Sequence, residues 1–267
     1  MAILSGFPCA RSLALLALLH AMGCFSPSVK PLDPGVVTTL GSCSPTPCVK
    51  VSLAGVPRLP TEINANAAEK IQDEIARILY LPVESDSEQA SSEHVLEELK
   101  ARIAEYENIP GALVNWTLNR TAELSVIAGD VVAVEVVNDG YLGGAHGFHE
   151  VSLLMFDGQT GAQLTYDDIF REGTREVFLR VVEAEFRRAR NITVNQSLAD
   201  AGFFVRPGAT LPLPQNWSLS KSGLDLHYNP YEVGPYVLGS TRLSIPRQAV
   251  VGVLKKRFSV LMSEITP

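Results

Sequence analysis

Apolar positions along the chain change period, and the changes divide it into blocks of strand and helix. Residues 49–53 read as a short strand. After Gly55-Val56-Pro57, the segment Pro60-Thr61-Glu62 opens a helix with Thr61 as its expected N-cap. Ile71, Ile75, Ile78 and Leu79 recur at helical spacing, so this helix runs to about Tyr80 and Pro82 stops it. A Ser- and Glu-rich link leads to Ser92. The second helix places Leu96, Leu99, Ile103 and Tyr106 on one face, with Glu98 and Arg102 spaced to pair on its surface, and Asn108-Ile109-Pro110-Gly111 ends it.

From Ala112 the period falls to two. Residues 113–118, 123–128 and 131–137 read as strands, the last two separated by the turn pair Gly129-Asp130. Residues 151–156 are another, turned by Asp157-Gly158-Gln159-Thr160-Gly161 into Gln163-Leu164-Thr165. A third helix from Thr174 to about Arg190 buries Phe178, Val181, Val182 and Phe186. Alternation returns over 219–226 and 242–245, and a short helix is expected near Ala249-Val250-Val251. Helices and strands come in blocks, without repeated strand–helix–strand units or an internal repeat. The predicted class is α+β: a largely antiparallel sheet with two to three packed helices.

The beginning of the chain follows a different rule. Arg11 is the only charge among the first 29 residues, and the apolar run 13–19 follows it. That run is too short for a membrane span, which needs about 20 apolar residues. A charged start, a short apolar run and small residues before a cleavage point make a secretory signal. Ala21 and Gly23 before Cys24 further suggest a lipoprotein signal, residues 1–23, with Cys24 acylated and the lipid bilayer as its first partner; an ordinary signal peptide is the alternative. Residues 24–47, rich in Ser, Pro, Thr and Gly, read as a flexible tether. Cys43 and Cys48 flank Ser44-Pro45-Thr46-Pro47, and in an oxidising compartment a local disulfide is favoured over a two-cysteine metal site. The folded part then divides into a strand–helix–helix region, 48–110, and a larger region, 111–267.

Removing the signal leaves 244 residues and shifts the net charge of −7 to about −8, because Arg11 goes with it. That length holds an ample core. The acidic balance argues against nucleic acid as a partner and against an anionic lipid surface. Phe25 stands where an Asp would retain many lipoproteins at the inner membrane. In a Gram-negative envelope this favours the periplasmic face of the outer membrane.

Candidate chemistry sits in two loops. Gly143, Gly144 and Gly147 permit positive φ or close backbone approach, and His146 lies among them. His146 reads either as a base or ligand, or as a ring whose nitrogens pin the loop. His146, His149 and Glu150 invite a zinc site, but strand positions three apart face opposite ways, so no metal or cofactor is expected. Thr165-Tyr166-Asp167-Asp168 is superficially similar to a polysaccharide-deacetylase motif, yet only His227 follows it, so Asp167 and Asp168 read as caps of a short helical turn. No nucleophile elbow or phosphate loop occurs. The second loop, Asn229-Pro230-Tyr231-Glu232-Val233-Gly234-Pro235-Tyr236, is the most binding-like segment. Two prolines stiffen it. With Tyr228, its tyrosines offer rigid amphipathic area, and Glu232 a carboxylate for a basic partner. The competing reading is a packed loop whose tyrosines close the core.

Taken in order, Asp139-Gly140-Tyr141-Leu142-Gly143-Gly144-Ala145-His146-Gly147, the blocks 156–161 and 164–170, Pro230 to Tyr236 and Ile245-Pro246 resemble the extracytoplasmic domain of the anti-sigma factor RsiV. The same domain accompanies the peptidoglycan deacetylase PdaC. Residues 48–110 resemble the smaller domain that usually precedes it, so the resemblance covers roughly 48–258. It implies an RsiV/PdaC-like α+β fold and recognition of lysozyme. Nothing here resembles the sigma-binding segment or the transmembrane helix of RsiV, nor the catalytic domain of PdaC. The expectation is therefore a binding module of the cell envelope for a lysozyme-like muramidase or peptidoglycan. Its expected binding residues are Tyr228, Tyr231, Glu232, Pro235 and Tyr236, with Tyr141 and His146 beside them. An envelope enzyme or assembly factor acting near peptidoglycan is the alternative.

Overall fold

The structure, a computed structural model, describes residues 31–264 apart from positions 45, 84–87, 89, 108, 110–114, 129, 207 and 221. The signal and Cys24, the Pro110-Gly111 helix stop, Leu113 and the turn residue Gly129 therefore lie outside the described residues. From Leu32 onward the chain forms one compact unit.

Five strands, β1 (Gly35–Gly41), β2 (Cys48–Ala54), β3 (Asn115–Ala128), β4 (Val131–Tyr141) and β5 (Phe148–Asp157), build one sheet in sequence order. All neighbours are antiparallel except β2 and β3, which run parallel with Cys48 opposite Asn115. The connection between them carries α1 (Ala65–Leu79) and α2 (Ser92–Glu107), as a parallel crossover requires. Three further strands, β6 (Asn216–Leu219), β7 (Gly223–Tyr228) and β8 (Thr241–Pro246), form a second antiparallel sheet. Between the sheets in sequence come α3 (Tyr166–Ile169) and α4 (Arg175–Ala189); α5 (Arg247–Val250) and α6 (Lys256–Glu264) follow β8.

The alternation of β4 explains the layering. Val132, Val134 and Val136 join a core with α1, α2, Trp116 and Leu118. Val131 and Ala133, on the opposite face, join a second core with Met155, α4 and the β6–β8 sheet. A strand apolar on both faces is what a sheet sandwiched between two layers requires. Within α1 the buried positions are Ala67, Ile71, Ile75 and Leu79; within α4 they are Phe178, Val182 and Phe186. Both sets follow the four-residue spacing of one helix face.

Several boundaries differ from the sequence reading. Residues 35–41, placed in the tether, form β1, with Val36, Thr38 and Leu40 turned inward more than their neighbours. Asp33 fixes the approach: its carboxylate accepts from Gly35 N, Ser92 N and Ser92 Oγ, tying β1 to the start of α2. The composition of 24–47 hid this strand because its pairing with β2 comes from the fold, not from its own apolar content. The expected disulfide between Cys43 and Cys48 is present and closes the β1–β2 turn. Helix α1 starts later than Thr61 suggests; Asn64 is its N-cap, accepting from Asn66 N and Ala67 N at 3.0 and 3.3 Å. The two strands expected over 113–128 are one strand with an irregularity between Leu124 and Val126. The single alternating stretch 219–226 is instead the β6–β7 hairpin. At the turn before Phe170, Asp168 reaches back to Thr165 N at 2.8 Å and completes a capping box, while Asp167 is exposed and takes no part in it.

Candidate functional site

The two glycine- and tyrosine-rich loops, 85 residues apart in sequence, meet at His146. Gly143 and Gly144 adopt φ of +101° and +90°, so the β4–β5 connection needs glycine at both. Tyr141 pins that connection from within by donating from its hydroxyl to Gly144 O at 3.1 Å. Arg102 Nη2 holds it from α2, donating to Leu142 O at 2.8 Å, and the Arg102 guanidinium lies over Trp116. His146 is thus presented at the tip of a braced loop, with its side chain exposed.

There its ring stacks on Tyr236, centroids 3.6 Å apart and planes 13° apart, and its Nε2 lies 3.2 Å from the Tyr231 hydroxyl. Its Nδ1 lies 2.7 Å from Gly147 O. A carbonyl only accepts, so this contact assigns the proton to Nδ1 and leaves Nε2 to accept from the Tyr231 O–H. Tyr231 and Tyr236 stand 5.9 Å apart. The outcome is a small aromatic surface whose members hold one another in place.

The backbone beneath Tyr231 is unusual. Glu232 N donates to Asn229 O at 3.1 Å, closing a turn with Pro230 in its second position and Tyr231 in its third. Tyr231 has φ +69°, where such turns normally carry glycine or asparagine. A bulky side chain there costs about 1–2 kcal/mol, yet the residue is 58% exposed.

Three residues hold this loop, and Arg190 among them carried no site expectation. The Asn229 carboxamide accepts from Val151 N at 2.8 Å and donates to Val151 O at 2.9 Å, acting as an extra backbone pair on the free edge of β5. Glu232 accepts from Asn229 N and Gln215 N, both at 2.9 Å. Burial raises its pKa above the usual carboxylate value despite those two donors. Its oxygens therefore staple the loop, and it is not the free carboxylate the sequence suggested for a basic partner. Arg190, just past α4, donates from Nη2 to Leu238 O, Gly239 O and Ser240 O, and from Nε to Thr241 Oγ1 at 2.8 Å. It clasps the segment after Tyr236. A lone arginine past a helix end gives no sequence signal for that role.

The remaining candidates divide cleanly. Tyr228 is fully buried and donates to Pro212 O at 2.6 Å; it belongs to the core and is not available to a partner. Pro235 precedes the short 3-10 turn Tyr236–Leu238 and is half-buried. Val237, 87% exposed, and Phe204, 63% exposed, extend the apolar surface. Phe204 is joined to the loop by its N–H, which donates to Val233 O at 2.8 Å. Among the described residues no group of three His, Cys, Asp or Glu is gathered as a metal site, and His149 and Glu150 lie on β5 away from the His146 stack.

The His146, Tyr231 and Tyr236 rings thus stand on two mutually braced loops of an α+β domain with two sheets. Residues 167–248 match the family model described as "Protein of unknown function (DUF3298)". A stretch of 146 residues, 53% of this chain, is 25% identical to the peptidoglycan-N-acetylmuramic acid deacetylase PdaC of Bacillus subtilis, and covers 30% of that protein. Two solved DUF3298-family proteins share the fold. One, from Bacteroides fragilis, has TM-score 0.67 and 16% identity over 89% of this chain and 98% of that one. The other, from Pseudomonas aeruginosa, has TM-score 0.59 and 18% identity over 90% and 98%. Residues 167–248 thus match the DUF3298 model, the chain is similar over part of its length to PdaC, and its fold is that of the DUF3298-family structures.

Proposed function

We propose that this chain is a cell-envelope lipoprotein, anchored through an acylated Cys24, whose His146–Tyr231–Tyr236 surface binds a lysozyme-like muramidase. The observation that carries the reading is Tyr231: a large ring held in a strained conformation and exposed, which folding alone does not require. Its neighbours support recognition. Rigid aromatic rings give contact area at small entropic cost, and Val237 and Phe204 widen the patch. The resemblance to the RsiV domain supplies the class of partner, and the name of the deacetylase relative makes peptidoglycan the second candidate. Among the described residues no helix is long and apolar enough to cross a membrane. The enzyme alternative needs a titratable cluster at His146, whereas its nitrogens meet a carbonyl and a phenol.

The test is calorimetry of residues 25–267 with hen-type and goose-type lysozymes at physiological salt, for the wild type and for Tyr231→Gly and Tyr236→Ala. The expected result is a 1:1 complex at micromolar affinity or tighter, weakened at least about 30-fold by either substitution. Tyr231→Gly should leave the stability of the free protein within about 1 kcal/mol of wild type, because the strain it relieves offsets the greater unfolded-chain entropy of glycine. Heat with neither lysozyme would refute the muramidase reading and move peptidoglycan forward.

A further inference from the structure

A second site lies where α3 meets the start of α4, in a cleft of about 550 Å³. That size is within the range of small-molecule sites. It shares no residue with the His146 surface. Its floor is aromatic and rigid: Tyr166 stacks on Trp217 at 4.5 Å, Phe170 packs on Phe178 at 4.5 Å, and the Tyr166 hydroxyl donates to Pro214 O. Its back wall is tied by backbone pairing, Arg171 N to Val253 O and Lys255 N to Ile169 O. The site is therefore shaped before any ligand arrives.

The rim is charged, and the charges are not used up by the protein. Arg187, Arg188, Arg242 and Arg257 are each paired with carboxylates. Arg171 and Arg175, both exposed and both lining this cleft, have no ion pair or side-chain hydrogen bond with a described residue. Lys255 Nζ already donates to Asp167 O at 2.6 Å. Beside the two guanidinium groups stand the carboxylates of Asp167 and Glu172, also on the lining.

This mixture discriminates among ligand classes. A wholly apolar ligand would leave the charged rim desolvated and unmatched. A phosphate dianion would meet two carboxylates as well as the two arginines. A ligand with one carboxylate, several hydroxyls and a C–H face uses every part: arginine binds the carboxylate in bidentate fashion, Asp167 and Glu172 accept from hydroxyls, and the aromatic floor packs against carbon. We propose that the α3–α4 cleft binds a carboxylated saccharide, with Arg171 and Arg175 holding its carboxylate.

The test is an amide-resolved NMR titration of the full chain with methyl glucuronide, methyl glucoside and inorganic phosphate. Methyl glucuronide should shift the amides of residues 166–178 with a dissociation constant on the order of 1 mM, at least about tenfold tighter than the glucoside. Arg175→Gln should weaken it about tenfold while leaving the melting temperature unchanged, because Arg175 is exposed and makes no internal pair. Tyr231→Ala should bind it as the wild type does, so that failure of this site and failure of the muramidase reading are separable. Equal shifts with the glucoside, equal or larger shifts with phosphate, or no shift of these amides at about 20 mM glucuronide would each overturn the proposal.

Discussion

Asn229→Ala tests the idea that one carboxamide holds the Tyr231 loop onto the sheet. β5 is the last strand of its sheet, and Val151 turns its N–H and C=O toward Asn229 at 2.8 and 2.9 Å. Val151 is 3% exposed, so water does not readily replace the lost partner. Removing the carboxamide leaves one donor and one acceptor of a buried residue unsatisfied, at about 1–3 kcal/mol each. Both groups lie at an edge that can relax, so the lower end of that range, about 1–1.5 kcal/mol each, applies and the total loss is about 2–3 kcal/mol. With a urea slope of about 2 kcal/mol per M, the unfolding midpoint should fall by roughly 1–1.5 M at unchanged slope. Hydrogen exchange adds a local reading: the Val151 amide should exchange at least about tenfold faster, beyond the change at its neighbours. Muramidase binding should fall with it, because Tyr231 sits two residues along. A loss below about 1 kcal/mol with Val151 still protected would show that another group satisfies that edge and would refute the argument.

Acid should destabilise the domain before its carboxylates titrate. His227 is buried on β7, and burial, with Arg242 and His149 adding to it, pushes its pKa from 6.5 down to about 4. Because the unfolded chain takes up the proton first, stability is complete above about pH 6.5 and is lost as the pH falls toward about 4. The loss is about 2 kcal/mol at pH 5 and about 3 kcal/mol in full; urea melts at pH 7.5 and pH 5 should show it, and His227→Leu should flatten the difference. Arg190→Ala should weaken partner binding at least about tenfold by releasing four contacts to the segment after Tyr236, and Arg190→Lys should restore only part of it, since an ammonium lacks the planar fork. Rescue by lysine to wild-type affinity would show that charge alone matters there. Asn64→Ala should cost about 1 kcal/mol in thermal unfolding and Thr61→Ala almost nothing, which decides between the two as cap of α1.

What was legible in the sequence was local, and what was hidden was long-range. The period of Ile71, Ile75 and Leu79 identified α1, and the alternation around Val132, Val134 and Val136 identified β4, because each pattern is complete within one element. The parallel pairing of β2 with β3 was not, since no residue at either strand states its partner. Helix α6 was missed although Phe258, Leu261 and Met262 share helical spacing, because nine residues make a short pattern near the end of the chain. At the site, the glycine loop and the tyrosine loop were each recognisable from residue type. Their convergence was not, nor the left-handed φ of Tyr231, which depends on Asn229 and Glu232 closing the turn around it. Glu232 and Tyr228 were misread for one reason: residue type tells what a side chain can do, and burial decides whether it is free to do it.

The two-faced character of β4 sets the limits of modularity. Val132, Val134 and Val136 complete one core and Val131 and Ala133 the other, so neither half of the molecule has an interior of its own. A fragment starting at residue 111 would expose Trp116, Leu118, Val132 and Val134 to water and lose the parallel partner of β3. The segment 167–248 would lack β4 and β5 altogether. The recognisable family segment is therefore a signature inside a larger indivisible unit. Deletions, fusions and domain exchanges in this lineage should respect the boundary near Leu32 and ignore the one near residue 110.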